Sequence, residues 1–463
     1  MQKSILNTFE FFEFVHLICE DNVTFFSKIW LLGNKQVQQY LTKYTTKFTF
    51  YTSNHMYELF KNNTRLVVND QKKVINFSEN IEILKFTDPI NYQFDFDALP
   101  QDLIHLSFNA NNFTDEKLKN LEKKTKLKTL ELRVKTNCTN NFGKYLPSSL
   151  DTLIVDTYFA FYKIDDIRFD SKIIESFPHG ITNLILHGCD FHEIPNSIEN
   201  LFALKKLDLR HNAIREISEK IATLSHLEYF SLAWNKLQYI TPKIGNLTKL
   251  KTLNLHFNNL SVLPNSITNL NNLEKFKCSH NNLLNYFDKY LINMENVKYL
   301  DLSHNNLYFP EIIIKLTNLK KLDFNANSIE NIPDLSSLAQ NLQILNLGKN
   351  KLQFIPDCIG NLTNLTKLLL FSNNIYKITP QINNLKKLKE LDLSFNNLET
   401  IPKEIGNLFS LKSLDLQYNK INYIVEEIAN LTNLKILKLN CNQIVTLPES
   451  ILSMQFYLEH CYF

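Results

Sequence analysis

Leu204-Lys-Lys-Leu207-Asp-Leu209-Arg-His-Asn212-Ala-Ile214 decides how this chain folds, because the same spelling returns down its second half, as in Leu411-Lys-Ser-Leu414-Asp-Leu416-Gln-Tyr-Asn419-Lys-Ile421. The closing asparagine recurs as Asn212, Asn235, Asn258, Asn281, Asn305, Asn327, Asn350, Asn373, Asn396, Asn419 and Asn442. Eight of the ten steps between them are 23 residues, and the other two are 24 and 22. A fixed period of this size marks a stacked solenoid, whose single units are too small to bury their own apolar faces. Such a fold offers a surface rather than a chemical pocket.

Around Leu207, Leu209 and their equivalents, apolar and variable residues alternate with the period of a half-buried strand. Stacking pairs these strands into a parallel sheet at about 4.8 Å spacing and merges the leucines into one long core. The chain then turns inward and brings backbone donors and acceptors with it. An asparagine amide carries both a donor and an acceptor, so stacked copies form a hydrogen-bonded ladder. A leucine there would leave backbone groups unpaired, at about 1–3 kcal/mol each. Ile181-x-x-Leu184-x-Leu186-x-x-Cys189 extends the ladder one step back, with Cys189 at its asparagine position. Twelve regular units of 22–24 residues therefore fill residues 181–463.

The return segments repeat too: Pro264-Asn-Ser-Ile267, Pro356-Asp-Cys-Ile359, Pro402-Lys-Glu-Ile405 and Pro448-Glu-Ser-Ile451, each preceded by an apolar residue. Proline starts a short helical turn, where its missing N–H costs nothing. These units resemble the leucine-rich repeat family, and within it the 23-residue L-P-x-x-I-x-x-L subclass of Ras-pathway scaffolds and plant intracellular proteins. The resemblance covers at least residues 181–463. It implies an α/β solenoid, a leucine-rich-repeat horseshoe with a parallel concave β-sheet and short helical or 3-10 convex segments.

Toward the N-terminus the pattern fades. Leu103-x-x-Leu106-x-Phe108-x-x-Asn111 is a full unit, whereas the units at Leu127 and Leu150 keep the strand and put Lys135 and Tyr158 in the asparagine's place. Ile81-x-x-Leu84-x-Phe86 reads as the first strand of residues 61–180, a stretch of irregular repeats. Residues 1–60 are aromatic with a helical rhythm, as in Phe11, Phe14, Val15 and Ile18. Two readings stand for them. One is a small helical cap that shields the first repeat's apolar edge. The other rests on Phe14-Val-His-Leu-Ile-Cys and Val23-Thr-Phe-Phe-Ser-Lys-Ile-Trp30, which resemble part of the F-box, although its opening Leu-Pro is absent. That resemblance implies that residues 1–50 recruit the adaptor of a ubiquitin ligase.

A formal net charge of +3 on 463 residues lacks the basic footprint of a nucleic-acid binder. The seven cysteines are odd in number and scattered, which suits a reducing, cytoplasmic setting. No apolar run is long enough for a membrane span. The wealth of asparagine, lysine, isoleucine and aromatics matches AT-rich genomes, as in amoebae or the large DNA viruses that infect them, and a viral product would work in host cytoplasm.

No P-loop, G-x-G-x-x-G, H-E-x-x-H or C-x-x-C is present, and no catalytic, cofactor or metal residue is assigned. Cys461 beside His460 is read as incidental. His211, His280 and His304 share the column before the ladder asparagine, where a metal site or pH switch competes with the ordinary repeat spelling Leu-Ser-His-Asn.

Partner contacts are expected on the concave sheet. Trp234, Phe257, Phe395 and Tyr418 occupy the column before the asparagine, and Tyr229, Tyr299 and Phe371 lie in nearby columns. Trp and Tyr are enriched at binding hot spots. A second column, four residues before the asparagine, holds Asp208, Asp301, Asp323, Asp392 and Asp415. It reads either as an acidic docking stripe or as the default Leu-Asp-Leu of the family. The function expected is a non-catalytic scaffold for a protein partner. A ubiquitin-ligase substrate receptor and a regulator of a small GTPase are the alternatives.

Overall fold

A computed structural model of the chain describes residues 50–52, 65–68, 81–89, 96–110, 118–134, 142–157, 169–285, 287–454 and 460–462. The chain divides into two compact units, Met1–Cys189 and Asp190–Phe463.

Among the described residues of the first unit seven strands run parallel in chain order: Phe50–Thr52, Arg65–Val68, Ile83–Pro89, His105–Ala110, Thr129–Val134, Thr152–Asp156 and Asn183–His187. Leu84, Leu106, Leu130, Leu153 and Leu184 stand opposite one another, all buried. Two strands precede the one at Ile83, so repeats begin earlier than the sequence pattern at Ile81 suggests. Apart from residues 50–52, the stretch 1–60 lies outside the described residues, and so do both readings of it as cap or F-box-like module. Asn111, Lys135 and Tyr158 lie outside them too.

The second unit stacks twelve parallel strands of three residues each, from Lys206–Asp208 to His460–Tyr462. Their central positions form one apolar column, in which Leu207, Phe230, Leu253, Phe276 and Leu300 are in register and buried. The last strand follows the final asparagine unit, and Cys461 stands opposite Leu437, in the register of the core leucines. The sequence pattern missed this strand, because its own repeat spelling is lost.

Return segments form 3-10 helices such as Asn265–Asn269, Asp357–Asn361 and Lys403–Asn407. The carbonyl of each preceding proline accepts the N–H three residues on: Pro264 from Ile267 at 3.0 Å, Pro356 from Ile359 and Pro402 from Ile405 at 3.1 Å. Where threonine precedes instead, Thr241 and Thr379 accept from the N–H of Lys243 and Gln381. Units pack so closely on this side that a Cβ on Gly245, Gly360 or Gly406 would overlap the backbone carbonyl of Ser266, Gln381 or Glu427 in the next unit. Among the described residues no helix is long and apolar enough to cross a membrane.

The asparagine ladder is present and is doubly knit. Asn258 donates from Nδ2 to the Leu232 carbonyl of the preceding unit (2.9 Å) and to its own Leu255 carbonyl (3.1 Å), while its Oδ1 accepts the Leu237 N–H (3.0 Å). The Leu232 carbonyl also takes the Asn235 amide (3.0 Å), and the Leu255 carbonyl also takes that of Asn281 (3.0 Å). Each such carbonyl is thus shared by two successive asparagines. The chain of shared carbonyls runs on through Leu302, Leu347, Leu370 and Leu393 to Leu416, which joins Asn419 to Asn442. In the first unit Cys189 is buried, and burial, with the Asp156 charge, raises its thiol pKa far above the ordinary value. That thiol is inert.

Candidate interaction surface

Just past each strand the backbone turns through the left-handed region. From His211 to Cys441 the residue before every ladder asparagine has a φ of 50° to 58°. This conformation costs a non-glycine residue about 1–2 kcal/mol. Hydrogen bonds to the following unit hold it: Trp234 N–H to the His256 carbonyl (2.8 Å), Phe257 to Ser279 (2.9 Å) and His280 to Ser303 (2.9 Å). The column that the sequence assigns to the concave sheet therefore lies one turn beyond it, on the rim. The strand Tyr229–Ser231, for example, ends three residues before Trp234.

Because every member of the column shares one backbone conformation, its side chains point the same way and meet at the spacing of the units. His211 and Trp234 stack with ring centroids 5.5 Å apart, Trp234 and Phe257 3.6 Å, Phe257 and His280 3.9 Å, and His280 and His304 3.8 Å, with interplanar angles of 22°, 15°, 10° and 13°. Five rings from five consecutive units form one stack. Phe395 and Tyr418 form a second, at 4.2 Å and 10°. Trp234, Phe395 and Tyr418 remain 45%, 48% and 46% exposed, whereas Phe257 is half-buried between its neighbours.

His256 was not singled out by the sequence pattern, yet it closes the first stack from the side. Its ring lies edge-on to Trp234 (6.2 Å), Phe257 (4.4 Å) and His280 (5.1 Å), and Nδ1 meets the Ser279 hydroxyl. Its position lies two residues before the ladder asparagine, next to the ring column; that register was the available signal. Burial between rings, then the charges of His304 and His256, push the His280 imidazole down to about 4. Burial lowers His304 as well, followed by the Lys349 charge. The stacked imidazoles of His280 and His304 lie in nearly parallel planes, so their nitrogens do not converge on one point. No group of three or more His, Cys, Asp or Glu among the described residues is placed to hold a metal.

Tyr229, Tyr299 and Phe371 sit apart from the stacks, on the sheet and at its edge. The Lys206 ammonium lies 5.0 Å over the Tyr229 ring, and that of Lys275 lies 5.2 Å over Tyr299. Phe371 lies across Gly348, where a Cβ would overlap its ring. The aspartate column has a local task. Asp301, Asp323, Asp392 and Asp415 each accept the N–H two residues on, at 3.0–3.2 Å, and so close the turn toward the rim. Three members also carry internal ion pairs: Asp208 with Arg210, Asp323 with Lys321 and Asp415 with Lys438. This column is turn chemistry more than an acidic dock. Burial raises the Asp323 carboxyl, and the Asp301 charge raises it further.

A parallel-stranded solenoid with a rim of displayed side chains is thus the class of molecule these elements build. It is a leucine-rich-repeat protein: residues 317–375 and 379–421 match the leucine rich repeat family, as do 249–270 and 296–316. Comparison with curated protein sequences gives no match. Among solved structures, an LRR protein of Leptospira interrogans is 23% identical, with a TM-score of 0.63, and the alignment covers 92% of this chain and 98% of that one. An internalin of Listeria monocytogenes is 26% identical over 62% of this chain and 82% of its own, with a TM-score of 0.57. The plant peptide hormone receptor RGFR1, solved in complex with RGF2, is 21% identical over 88% of this chain and 67% of its own, with a TM-score of 0.58.

Proposed function

We propose that this protein is a non-catalytic scaffold that holds a protein partner against the concave sheet and its aromatic rim. The five-ring stack from His211 to His304, with Trp234 exposed, carries the reading. Trp and Tyr anchors on a rigid frame lose little freedom on binding, which is why they dominate hot spots. The stack, the two cation-bearing tyrosines and Phe371 share one side of the second unit, whose twelve strands at about 4.8 Å give roughly 50 Å of length. A standard interface of about 800 Å² per partner fits on it. The complex of RGFR1 with RGF2 is a precedent for a ligand on this fold.

The test compares the full chain with its Trp234→Ala/Phe257→Ala variant as bait in affinity purification. Ala326 already occupies this column at φ 54°, so alanine is compatible with the backbone there. The principal partner should be lost or weakened by tenfold or more, while the variant keeps a cooperative melt whose midpoint falls by no more than three lost stacked pairs explain, at about 0.5–1.5 kcal/mol each. Undiminished capture removes the rim from the interface.

A further inference from the structure

Within the stack each ring covers its neighbour's face, so the inner rings offer a partner only their edges. A whole face is open only where the run stops. It stops at Ala326, the column residue of the next unit, which carries no ring to stack on the outer face of His304. One unit further stands Lys349, exposed, and close enough for its charge to depress the His304 imidazole. Two unit spacings separate the columns of His304 and Lys349, about 10 Å. A ring in contact on both faces needs about 7–8 Å.

Asn235, Asn258, Asn281, Asn305, Asn350, Asn373, Asn396 and Asn419 are buried, whereas Asn327, beside Ala326, is partly buried, as are Asn212 and Asn442 at the ladder's ends. A small residue alone does not produce this, since Asn373 beside Ser372 is buried. Asn327 keeps its ladder bonds, to the Leu302 carbonyl at 3.0 Å and the Phe324 carbonyl at 3.1 Å, so the opening is not a break in the fold. The edge of His304 is fixed by Asn325, whose Nδ2 lies 3.1 Å from Nε2, which holds the ring upright as one wall.

We propose that the space over Ala326 is a slot for one aromatic side chain of a protein partner, which stacks on His304 and receives the Lys349 ammonium on its other face. The ring becomes the sixth member of the stack. Stacking on a neutral imidazole and a cation over the opposite face both favour an electron-rich ring. The near-neutral charge of the chain argues for a protein donor of that ring over a nucleobase, whose backbone needs a basic track. This inference rests on the interaction-scaffold reading above and names the chemistry of its anchor.

The test pans a displayed random dodecapeptide library on the full chain and measures the selected peptides against variants. Phe257 and Phe395 show that phenylalanine is at home at this φ, so Ala326→Phe should fold and melt no lower than the parent. The expected peptides share one indispensable Trp, Tyr or Phe. They lose at least tenfold in affinity to Ala326→Phe and several-fold to the exposed Lys349→Glu, and stay within twofold on Ala326→Ser. Should Ala326→Phe not fold, Lys349→Glu alone decides. Peptides without an aromatic, or indifferent to both slot variants, overturn the slot. If those peptides still weaken on Trp234→Ala/Phe257→Ala, the scaffold reading survives. Peptides indifferent to every variant, or no binders at all, overturn both. Displacement of the peptides by a single-stranded RNA dodecamer whose own binding is lost in Ala326→Phe would make the occupant a base and overturn the protein assignment.

Discussion

Replacing Asn258 by alanine tests whether the ladder is a chain of shared acceptors or a set of separate caps. The variant orphans the buried Leu237 N–H entirely, at about 1–3 kcal/mol. The Leu232 and Leu255 carbonyls lose one of two partners each, at about 0.5–1.5 kcal/mol apiece, and keep Asn235 and Asn281. The single variant should therefore cost about 2–6 kcal/mol. Adding Asn281→Ala leaves the Leu255 carbonyl with neither amide. The double variant should exceed the sum of the singles by about 0.5–3 kcal/mol. Asn258→Ala with Asn373→Ala shares no partner and should add within about 0.5 kcal/mol. Because a solenoid can unfold in parts, denaturation should be followed by hydrogen exchange at the Leu237 and Leu260 amides, which report the affected turns directly. If Asn258→Ala costs no more than alanine at its exposed neighbour Asn259, or if the adjacent pair merely adds, the shared-acceptor account is wrong.

Two further outcomes follow from the rim. His280 has a folded pKa near 4 against an ordinary 6.5, so below pH 6.5 the unfolded chain takes up a proton that the folded chain refuses. Its contribution to stability should fall as pH drops from 6.5 to 4 and level off below; an NMR titration midpoint for His280 at or above 6.5 would contradict the stacked environment. Gly348→Ala should cost about 1–3 kcal/mol by displacing the Phe371 ring. Phe371→Leu in the same chain should recover most of that loss in thermal melts, and no recovery would place the strain elsewhere.

The repeat period, the parallel register and the ladder were legible because they depend on residue type alone: leucine for the core, asparagine for a turn that needs donor and acceptor together. The ends were not. Cys461 stands in a leucine register without the surrounding spelling, and the strands at 50–52 and 65–68 lack it too. Adjacency in the column correctly paired Trp234 with Phe257 and Phe395 with Tyr418, but it put them on the sheet, because sequence does not display the sign of φ. The histidines were read apart from the aromatics; in the structure His280 and His304 are rings of the same stack. His256 escaped because its neighbours in the column, Ala233 and Ser279, carry no ring to mark the position.

Strain does not single out any part of this rim. Eleven successive units hold a non-glycine residue in the left-handed region, with tryptophan, alanine, lysine and serine alike, so the turn demands the conformation and accepts any side chain. Glycine or asparagine would relieve about 1–2 kcal/mol at each. Where rings adjoin, stacking returns about 0.5–1.5 kcal/mol per pair, which offsets much of that cost. At Ala326 and Lys349 nothing of the kind returns it. Folding alone thus accounts for a continuous stack, and equally for relaxed residues throughout, but not for a run of five rings that ends at a methyl with a lysine facing the gap. The break in the stack, rather than the stack itself, is the feature that stability leaves unexplained, and it is there that the proposed partner ring would stack.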